Sequence, residues 1–329
     1  MYFMEPILLA TVFLGFFCTF LLMPFWIKKA KQIGLVWEDM NKFNKDEKIA
    51  GSGGLMVLFG FLIGVLVYVA IKTFYIHTNT ILVEIFALLV SVLFVGLTGL
   101  IDDLFGWRHG GLSARSRIIL VLFAAIPLMV INAGEPTMAG INFGLLYPLI
   151  IIPLGIIGAT TTFNFLAGFN GLEASQGIIL LTAISIVTYL TGNSWLSVVA
   201  LCMVAPLLAF YIFNKNPAKV FPGNVMTYSI GALIAGIAIL GSIEKIVLFF
   251  FIPYIIETIL KIRGGLPQSF GKPQEDESLK LLYGKVYGLT HLSIFILSKF
   301  KKKVYEKDVV KIINLFQILI IVLGFLIFF

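Results

Sequence analysis

Residues 97–111 read LTGLIDDLFGWRHGG, and in this stretch an apolar segment ends in two adjacent aspartates. The residues that lead into Asp102 and Asp103 carry a single charge, Glu84, from position 81 onward. Ionised carboxylates are among the most costly groups to place near hydrocarbon, and those found in membrane segments usually have a function. The stretch therefore predicts a membrane-spanning helix that ends at a functional site.

The composition indicates a polytopic membrane protein. Of the 329 residues, 59% are hydrophobic and only 12% are charged, too few to cover the surface of a soluble protein of this length. The net charge of +7 fits basic inward loops better than a nucleic-acid partner, so no nucleic acid is expected. Cys18 and Cys202 lie in apolar runs outside any C-x-x-C pattern, which argues against a disulfide framework or a zinc site.

The hydropathy pattern predicts an all-α, integral-membrane domain over residues 1–329 with about ten transmembrane helices. The predicted spans are 7–27, 51–71, 81–101, 116–131, 143–162, 171–191, 195–213, 226–240, 246–260 and 309–329. With the N-terminus outside, every Lys and Arg except Lys72 and Lys245 falls on the inner side. By the positive-inside rule, both chain ends are extracytoplasmic and the polar loops face the cytoplasm. The inward region 261–308 is expected to form part of the site.

Two of the inward segments suggest contacts with an anionic substrate. Residues 48–54, KIAGSGG, combine Lys48 with glycines that let a backbone approach a phosphate, although glycine-rich helix ends are also common in membrane proteins. Residues 101–117, IDDLFGWRHGGLSARSR, place paired carboxylates close to several cations, which suits Mg²⁺ and an anionic substrate. The alternative for this segment is an interfacial loop whose aspartates pair with Arg108.

Three further inward segments carry amides, glycines and cations. Residues 160–177, TTTFNFLAGFNGLEASQG, and residues 213–224, FNKNPAKVFPGN, offer amide oxygens for Mg²⁺ or a base edge and glycines beside a flat ring. The alternative for both is a helix-breaking turn. The basic region beyond residue 261 ends in SKFKKK, residues 298–303, which is typical of attraction to anionic lipids.

In this order, the segments resemble the polyprenyl-phosphate N-acetylhexosamine-1-phosphate transferases over residues 48–291. The closest branch is the archaeal and eukaryotic one, UDP-N-acetylglucosamine–dolichyl-phosphate N-acetylglucosaminephosphotransferase. NFLAGFNGLEASQ nearly matches that branch, whereas bacterial relatives carry DGxDGL where this chain has Gly168 and Asn170. IDDLFGWRH and NPAKVFPGN match two further family blocks, and ten helices with both ends outside is also the family topology.

The resemblance implies a role for each matching residue. Asp102 and Asp103 correspond to the catalytic pair beside the reacting phosphates, and Asn164 corresponds to a metal ligand. The implied uridine-binding residues are Gly168, Asn170 and Phe221. Trp107 resembles the aromatic residue that closes over the sugar, and Arg263 lies where the family's pyrophosphate-binding loop begins. Further candidates for binding the sugar or the phosphates are Lys48, Arg108, Glu173 and His291. This chain departs from the family at a second metal ligand, where Asn224 replaces an aspartate. It also has RGGLPQSFGKP in place of an Arg-His-Arg triplet.

The implied reaction is transfer of N-acetylglucosamine 1-phosphate from UDP-GlcNAc to a polyprenyl phosphate such as dolichyl phosphate, with Mg²⁺ or Mn²⁺. The implied membrane is the plasma membrane of a prokaryote or the endoplasmic reticulum of a eukaryote. Another UDP-N-acetylhexosamine donor, undecaprenyl phosphate as acceptor and a homodimer remain open. The alternative from another class, a transporter of an anionic metabolite, is disfavoured by bland outer loops and the lack of paired repeats. A CDP-alcohol phosphotransferase is disfavoured because its DG-x₂-AR signature is missing.

Overall fold

The protein is predominantly helical. The computed structural model describes residues 6–45, 47–138 and 140–329, with the backbone alone described at residues 6, 7, 108 and 109. The helices are α1 (Pro6–Ile33), α2 (Gly54–Ala70), α3 (Leu82–His109), α4 (Ala114–Val130), α5 (Ile152–Phe165), α6 (Leu172–Leu190), α7 (Ser194–Asn214), α8 (Asn224–Leu240), α9 (Glu244–Phe250), α10 (Ile252–Arg263), α11 (Leu289–Phe300) and α12 (Glu306–Phe328). A π-helical turn, Ile71–Tyr75, continues α2, and another, Tyr147–Ile151, precedes α5.

Short antiparallel ribbons lie in the connections. The pairs are β1 (Val36–Glu38) with β2 (Lys48–Ala50), β3 (Thr137–Met138) with β4 (Ile141–Asn142), and β5 (Lys272–Pro273) with β6 (Leu279–Lys280). The first ribbon is extended by a parallel bridge between Ala50 and Val220. This bridge joins two of the polar segments that were far apart in the sequence.

Several helices are long and apolar enough to cross a membrane. Within the described residues there are seven: α1, α2 with its π-helical turn, α3, α5 with its π-helical turn, α6, α7 and α12. Each of the ten predicted spans overlaps a helix, but α4 and α8 have only 17 residues. The ninth predicted span is interrupted at Phe251, which separates α9 from α10. Pro253 lies in the first turn of α10. Ten crossings, the positions of the chain ends and a cytoplasmic site therefore remain predictions.

Helix α8 lies in the interior of the bundle and positions one end of the site. Every side chain from Val225 to Ile239 is buried, which fits a helix that is apolar on all sides. α8 packs against α3 and α5, and glycines allow the close approach. A Cβ on Gly99 of α3 would lie 2.5 Å from the Asn224 carbonyl oxygen, and one on Gly231 would lie 2.6 Å from the Ala159 oxygen.

Candidate functional site

Polar side chains from distant parts of the chain line one cavity of about 420 Å³. The last turns of α3 and α5 meet the first turns of α6 and α8 around it. Eight of the residues singled out in the sequence line it: Asp102, Asp103, Asn164, Gly168, Asn170, Glu173, Phe221 and Asn224. Three carboxylates, several amides and an aromatic ring therefore share one concave surface, as a polar substrate with a flat ring would require.

The Asp103 carboxylate holds the start of α8 against the end of α3. Its Oδ1 atom accepts the backbone N–H of Asn224 at 2.7 Å, and its Oδ2 atom accepts the Ser52 hydroxyl at 3.1 Å. A carboxylate at this position interacts favourably with the free N–H groups of a helix N-terminus. Gly223 leaves room for the contact, because a Cβ there would lie 2.2 Å from Asp103 Oδ2.

The Asp102 carboxylate is surrounded by donors. Its Oδ1 atom accepts the backbone N–H of Leu112 at 2.7 Å, and its Oδ2 atom accepts the Asn224 side-chain amide at 2.7 Å. Arg117 Nε lies 3.0 Å from Asp102 Oδ2. The aspartate is buried, and each of its carboxylate oxygens has a partner, as buried polar groups require. Asp102 therefore connects α3, the following loop, α4 and α8.

Amide groups form the wall beside the two aspartates. Asn164 Oδ1 accepts the Thr227 hydroxyl at 2.8 Å, and Thr227 lies one helical turn after Asn224. The Asn224 Oδ1 atom accepts no hydrogen bond from any described residue, while its amide nitrogen is used by Asp102. Among the described residues, no cluster of three or more His, Cys, Asp or Glu side chains is arranged to hold a metal ion. A metal here would depend on amide oxygens as well as on the aspartates.

The Asn170 side of the cavity is built by carboxylates that the sequence reasoning missed. The Asn170 side-chain amide donates to Asp39 Oδ2 at 2.8 Å, and its backbone N–H donates to Glu306 Oε1 at 2.6 Å. Lys42 Nζ lies 3.2 Å from Glu306 Oε2 and partly balances this negative charge. Asp39 also lines the cavity. Both carboxylates lie outside the recognised motifs, so only their acidity in otherwise apolar or basic surroundings could have indicated them.

Gly168 lies between an aromatic ring and a buried amide. Its φ is +99°, and a Cβ at this position would lie 2.8 Å from Phe270 Cε1, so the ring packs directly on the glycine. The Gly168 carbonyl oxygen accepts the Asn41 amide at 2.7 Å, and the Asn41 oxygen accepts the Gly271 N–H at 3.0 Å. The Gly168 N–H donates to Glu173 Oε1 at 2.8 Å. Asn41 thus connects the long region 261–308 to the cavity wall.

Four further residues from the sequence analysis do not line the cavity. Lys48 is exposed in β2, and Trp107 is half-buried near Gly34. Arg263 donates to the Val286 carbonyl oxygen in a separate depression. His291 is buried in α11, where its Nε2 atom lies 3.2 Å from the carbonyl oxygen of Phe270, itself a lining residue.

Burial and charge also affect the pKa of His291. Burial, and to a smaller extent the charge of Lys261, lowers the pKa of His291 below its usual range. A neutral ring next to the Phe270 carbonyl oxygen makes His291 a residue that positions the loop.

The Arg108 side chain, to which a phosphate contact was assigned, lies outside the described residues.

Two of the glycines expected to approach a phosphate pack against protein instead. The Gly53 and Gly54 N–H groups donate to the carbonyl oxygens of Phe221 and Pro222, both at 2.9 Å. A Cβ on Gly54 would lie 2.7 Å from the Pro222 oxygen. These glycines therefore hold residues 51–54 against the loop that precedes α8, whereas Gly51 does line the cavity.

Comparisons with known proteins place this chain among membrane transferases. The family model described as Glycosyl transferase family 4 matches residues 85–242. A protein of Saccharolobus solfataricus, provisionally named UDP-N-acetylglucosamine–dolichyl-phosphate N-acetylglucosaminephosphotransferase, is 36% identical over 90% of each chain. The Dictyostelium discoideum protein of that name is 30% identical over 77% of this chain and 70% of its own. A phospho-N-acetylmuramoyl-pentapeptide-transferase of Halalkalibacterium halodurans is 30% identical over 78% and 82%, respectively.

Proposed function

This chain belongs to the family of polyprenyl-phosphate N-acetylhexosamine-1-phosphate transferases, and we propose that it transfers N-acetylglucosamine 1-phosphate from UDP-GlcNAc to dolichyl phosphate. The products are UMP and a lipid-linked sugar diphosphate. The names of the Saccharolobus and Dictyostelium relatives support this donor and this acceptor. The observation that carries the proposal is the cavity in which Asp102, Asp103, Asn170 and Phe221 come together at the ends of membrane helices.

The location of the aspartates fits a reaction between a water-soluble donor and a membrane lipid. α3 is long and apolar enough to span a membrane, and its last turns carry Asp102 and Asp103. A lipid phosphate at the membrane surface and a nucleotide entering from water can meet at this depth. The positive-inside pattern of the sequence supports a cavity that opens toward the cytoplasm.

We propose a direct displacement. A phosphate oxygen of the acceptor attacks the β-phosphorus of UDP-GlcNAc, and the bond from that phosphorus to the bridging oxygen breaks. The bridging oxygen leaves with UMP. A phosphate monoester has a second pKa of about 6, so the acceptor is mostly dianionic at neutral pH and needs no strong base. In this chain Asp102 or Asp103 orients the acceptor, and Arg117 reduces the repulsion between the two anionic substrates.

The oxygen donors of the cavity fit a hard divalent cation such as Mg²⁺, with Mn²⁺ as the alternative. Asn164, Asn224, Asp102 and Asp103 would hold it, and the free Oδ1 of Asn224 is the oxygen with no other described partner. When bound, such an ion neutralises negative charge on the phosphates. Only two of these four side chains are carboxylates, so phosphate oxygens of the substrate would complete the donor set.

The test is a transfer assay with purified protein in lipid nanodiscs. We expect label from UDP-[³H]GlcNAc to enter the organic phase only with dolichyl phosphate and Mg²⁺, and to be lost with excess EDTA. Asp102→Asn and Asp103→Asn are expected to lower turnover by about 100-fold or more, as losses of a group next to the reacting atoms commonly do. Asp276→Asn, an exposed carboxylate outside the cavity, is the matched control.

The same assay distinguishes related reactions and the other class of function. Faster transfer from UDP-N-acetylmuramoyl-pentapeptide, or to undecaprenyl phosphate, would move the chain to another branch of the family. Uptake of UDP-GlcNAc into proteoliposomes without any lipid-linked product would instead indicate a carrier. Wild-type rates in both aspartate variants would show that the assigned cavity is not the site of transfer.

A further inference from the structure

A second depression lies where the end of α7 meets the start of α12. Its volume is about 440 Å³. We call it the α7–α12 groove, and it is lined by Lys215, Asn216, Lys307, Lys311, Leu315 and Ile318 among others. None of these residues was assigned a role in the transfer reaction. Cations and amides at one end and apolar side chains at the other give the groove the polarity of a phospholipid.

The sequence of α12 produces this polarity. Lys307, Lys311, Leu315 and Ile318 follow one another at intervals of four, four and three residues, so they lie on one face of the helix. The stripe is about 16 Å long at 1.5 Å per residue. Leu315 is 55% and Ile318 is 44% exposed, as expected of side chains that contact lipid chains on a spanning helix. The lysines continue this face toward the polar end of the helix.

The three lysines form no ion pair within 4 Å among the described residues. Ion pairs between described residues involve Lys42, Arg117, Lys261, Lys301 and Lys303, but neither Lys215, Lys307 nor Lys311. The nearest acidic residues on the helix are already used: Glu306 pairs with Lys42, and Asp308 pairs with Lys301. Three lysines outside the described ion pairs, at the end of an apolar groove, favour an anionic phosphate group.

We propose that the α7–α12 groove binds one anionic phospholipid of the surrounding membrane, with its phosphate at Lys215, Lys307 and Lys311 and an acyl or isoprenoid chain along Leu315 and Ile318. The occupant is not the acceptor substrate. The groove shares Asn170 with the transfer cavity, but Asp102 and Asp103 line only the transfer cavity and not the groove. None of the three lysines lines the transfer cavity, so a phosphate that they hold is separate from the reacting groups.

The test is lipid binding to the full-length chain, measured by native mass spectrometry and by the melting temperature. The probes are phosphatidylglycerol and phosphatidylcholine, added to protein purified in a neutral detergent. The wild-type protein is expected to retain one phosphatidylglycerol in preference to phosphatidylcholine and to melt at a higher temperature with it. The triple variant Lys215→Gln, Lys307→Gln, Lys311→Gln is expected to bind phosphatidylglycerol at least about tenfold more weakly, because each lysine near an anionic headgroup contributes to affinity.

The matched control removes three other exposed lysines, which lie outside the groove and outside the SKFKKK segment: Lys245→Gln, Lys280→Gln, Lys285→Gln. It has the same net charge as the groove variant and is expected to bind like the wild type. A triple Lys-to-Arg groove variant is expected to keep binding. The single variants Lys215→Gln, Lys307→Gln and Lys311→Gln, each expected to weaken binding, replace the triple Gln variant if that protein does not fold.

Three results would overturn the proposal. Equal weakening in the groove and control variants would attribute binding to overall charge. The absence of any preference for phosphatidylglycerol in the wild type would exclude an anionic-lipid site. Displacement of phosphatidylglycerol by dolichyl phosphate, with the same sensitivity to the groove variant, would make the groove an acceptor site.

Discussion

Asn224 is hydrogen-bonded to both aspartates of the cavity: its side-chain amide donates to Asp102 Oδ2 at 2.7 Å, and its backbone N–H donates to Asp103 Oδ1 at the same distance. The amide therefore supplies a donor at a position where the family resemblance leads us to expect an aspartate. A carboxylate in its place would face Asp102 at hydrogen-bond distance with no proton to share. An amide makes the start of α8 compatible with the aspartate pair even before a cation binds.

We predict that Asn224→Asp makes the protein more dependent on a divalent cation. Without metal, the new carboxylate repels Asp102 and the melting temperature falls, because close, buried like charges are destabilising. With Mg²⁺ the difference shrinks, and half-saturation of the rate occurs at a lower free Mg²⁺ concentration than in the wild type. Melting curves in EDTA and in Mg²⁺, together with rates against free Mg²⁺, measure both effects.

The control for this variant is Asn142→Asp, which adds the same charge at an exposed position where the side-chain oxygen accepts the Gly144 N–H. It is expected to behave like the wild type. If Asn224→Asp, Asn224→Ala and the wild type share one half-saturating Mg²⁺ concentration, Asn224 is not a metal ligand.

The contacts of Asp103 predict a loss of stability in addition to a loss of activity. Asp103→Ala removes the acceptor for the Asn224 N–H and the Ser52 hydroxyl, leaving buried donors unpaired at a cost of about 1–3 kcal/mol. Asp103→Asn keeps one acceptor oxygen and is expected to melt between the wild type and Asp103→Ala. Equal melting temperatures for all three proteins would show that the carboxylate does not hold α8.

We predict that Gly168→Ala raises the KM for UDP-GlcNAc by about tenfold, the order expected from overpacking. The new Cβ would meet Phe270, whose ring lines the cavity, in addition to the strain of a positive φ. Adding Phe270→Ala is expected to restore part of the affinity, because it relieves the contact but not the strain. Gly192→Ala is the control for backbone strain without a steric contact, since that glycine has φ +86° and no neighbour within 4 Å of an added Cβ. If the KM of the double variant stays as high as that of Gly168→Ala, the contact with Phe270 is not the cause of the weaker binding of UDP-GlcNAc.

Asn41 is predicted to couple the long region to the nucleotide wall. Asn41→Ala breaks the bonds to the Gly168 carbonyl oxygen and the Gly271 N–H, so KM for UDP-GlcNAc should rise more than kcat falls. Asn41→Asp keeps the acceptor for Gly271 and is expected to restore the docking of the loop, measured by limited proteolysis. A decrease in kcat alone would instead place Asn41 with the reacting groups.

Orientation in the membrane can be tested by cysteine labelling. In a background with Cys18 and Cys202 replaced by alanine, we expect Lys272→Cys to react with an impermeant maleimide only after the cells are permeabilised. Ser194→Cys, also exposed, is expected to react in intact cells. Labelling of position 272 but not 194 in intact cells would reverse the predicted topology.

The sequence by itself was sufficient to determine the helical class, the family and the approximate positions of the seven described helices that are long and apolar enough to cross a membrane. These features are encoded locally: apolar runs predict helices wherever they occur, and the motifs are contiguous blocks such as IDDLFGWRH. Composition and motif identity also singled out eight of the residues that line the cavity. Local patterns did not reveal that α11 forms within the region 261–308, or that the predicted ninth span is broken at Phe251.

Only the tertiary structure decided which polar groups meet. Asn170 bonds to Asp39 and Glu306, which are 131 and 136 positions away. Phe270 packs on Gly168, and Lys215 joins Lys307 and Lys311 in one groove. Such pairings follow from the angles at which whole helices pack. The sequence of one helix end or loop does not by itself identify the partners of its polar groups. The physical reason is that a buried polar group must find a partner, and the partner is set by the packed helices around it rather than by its neighbours in sequence.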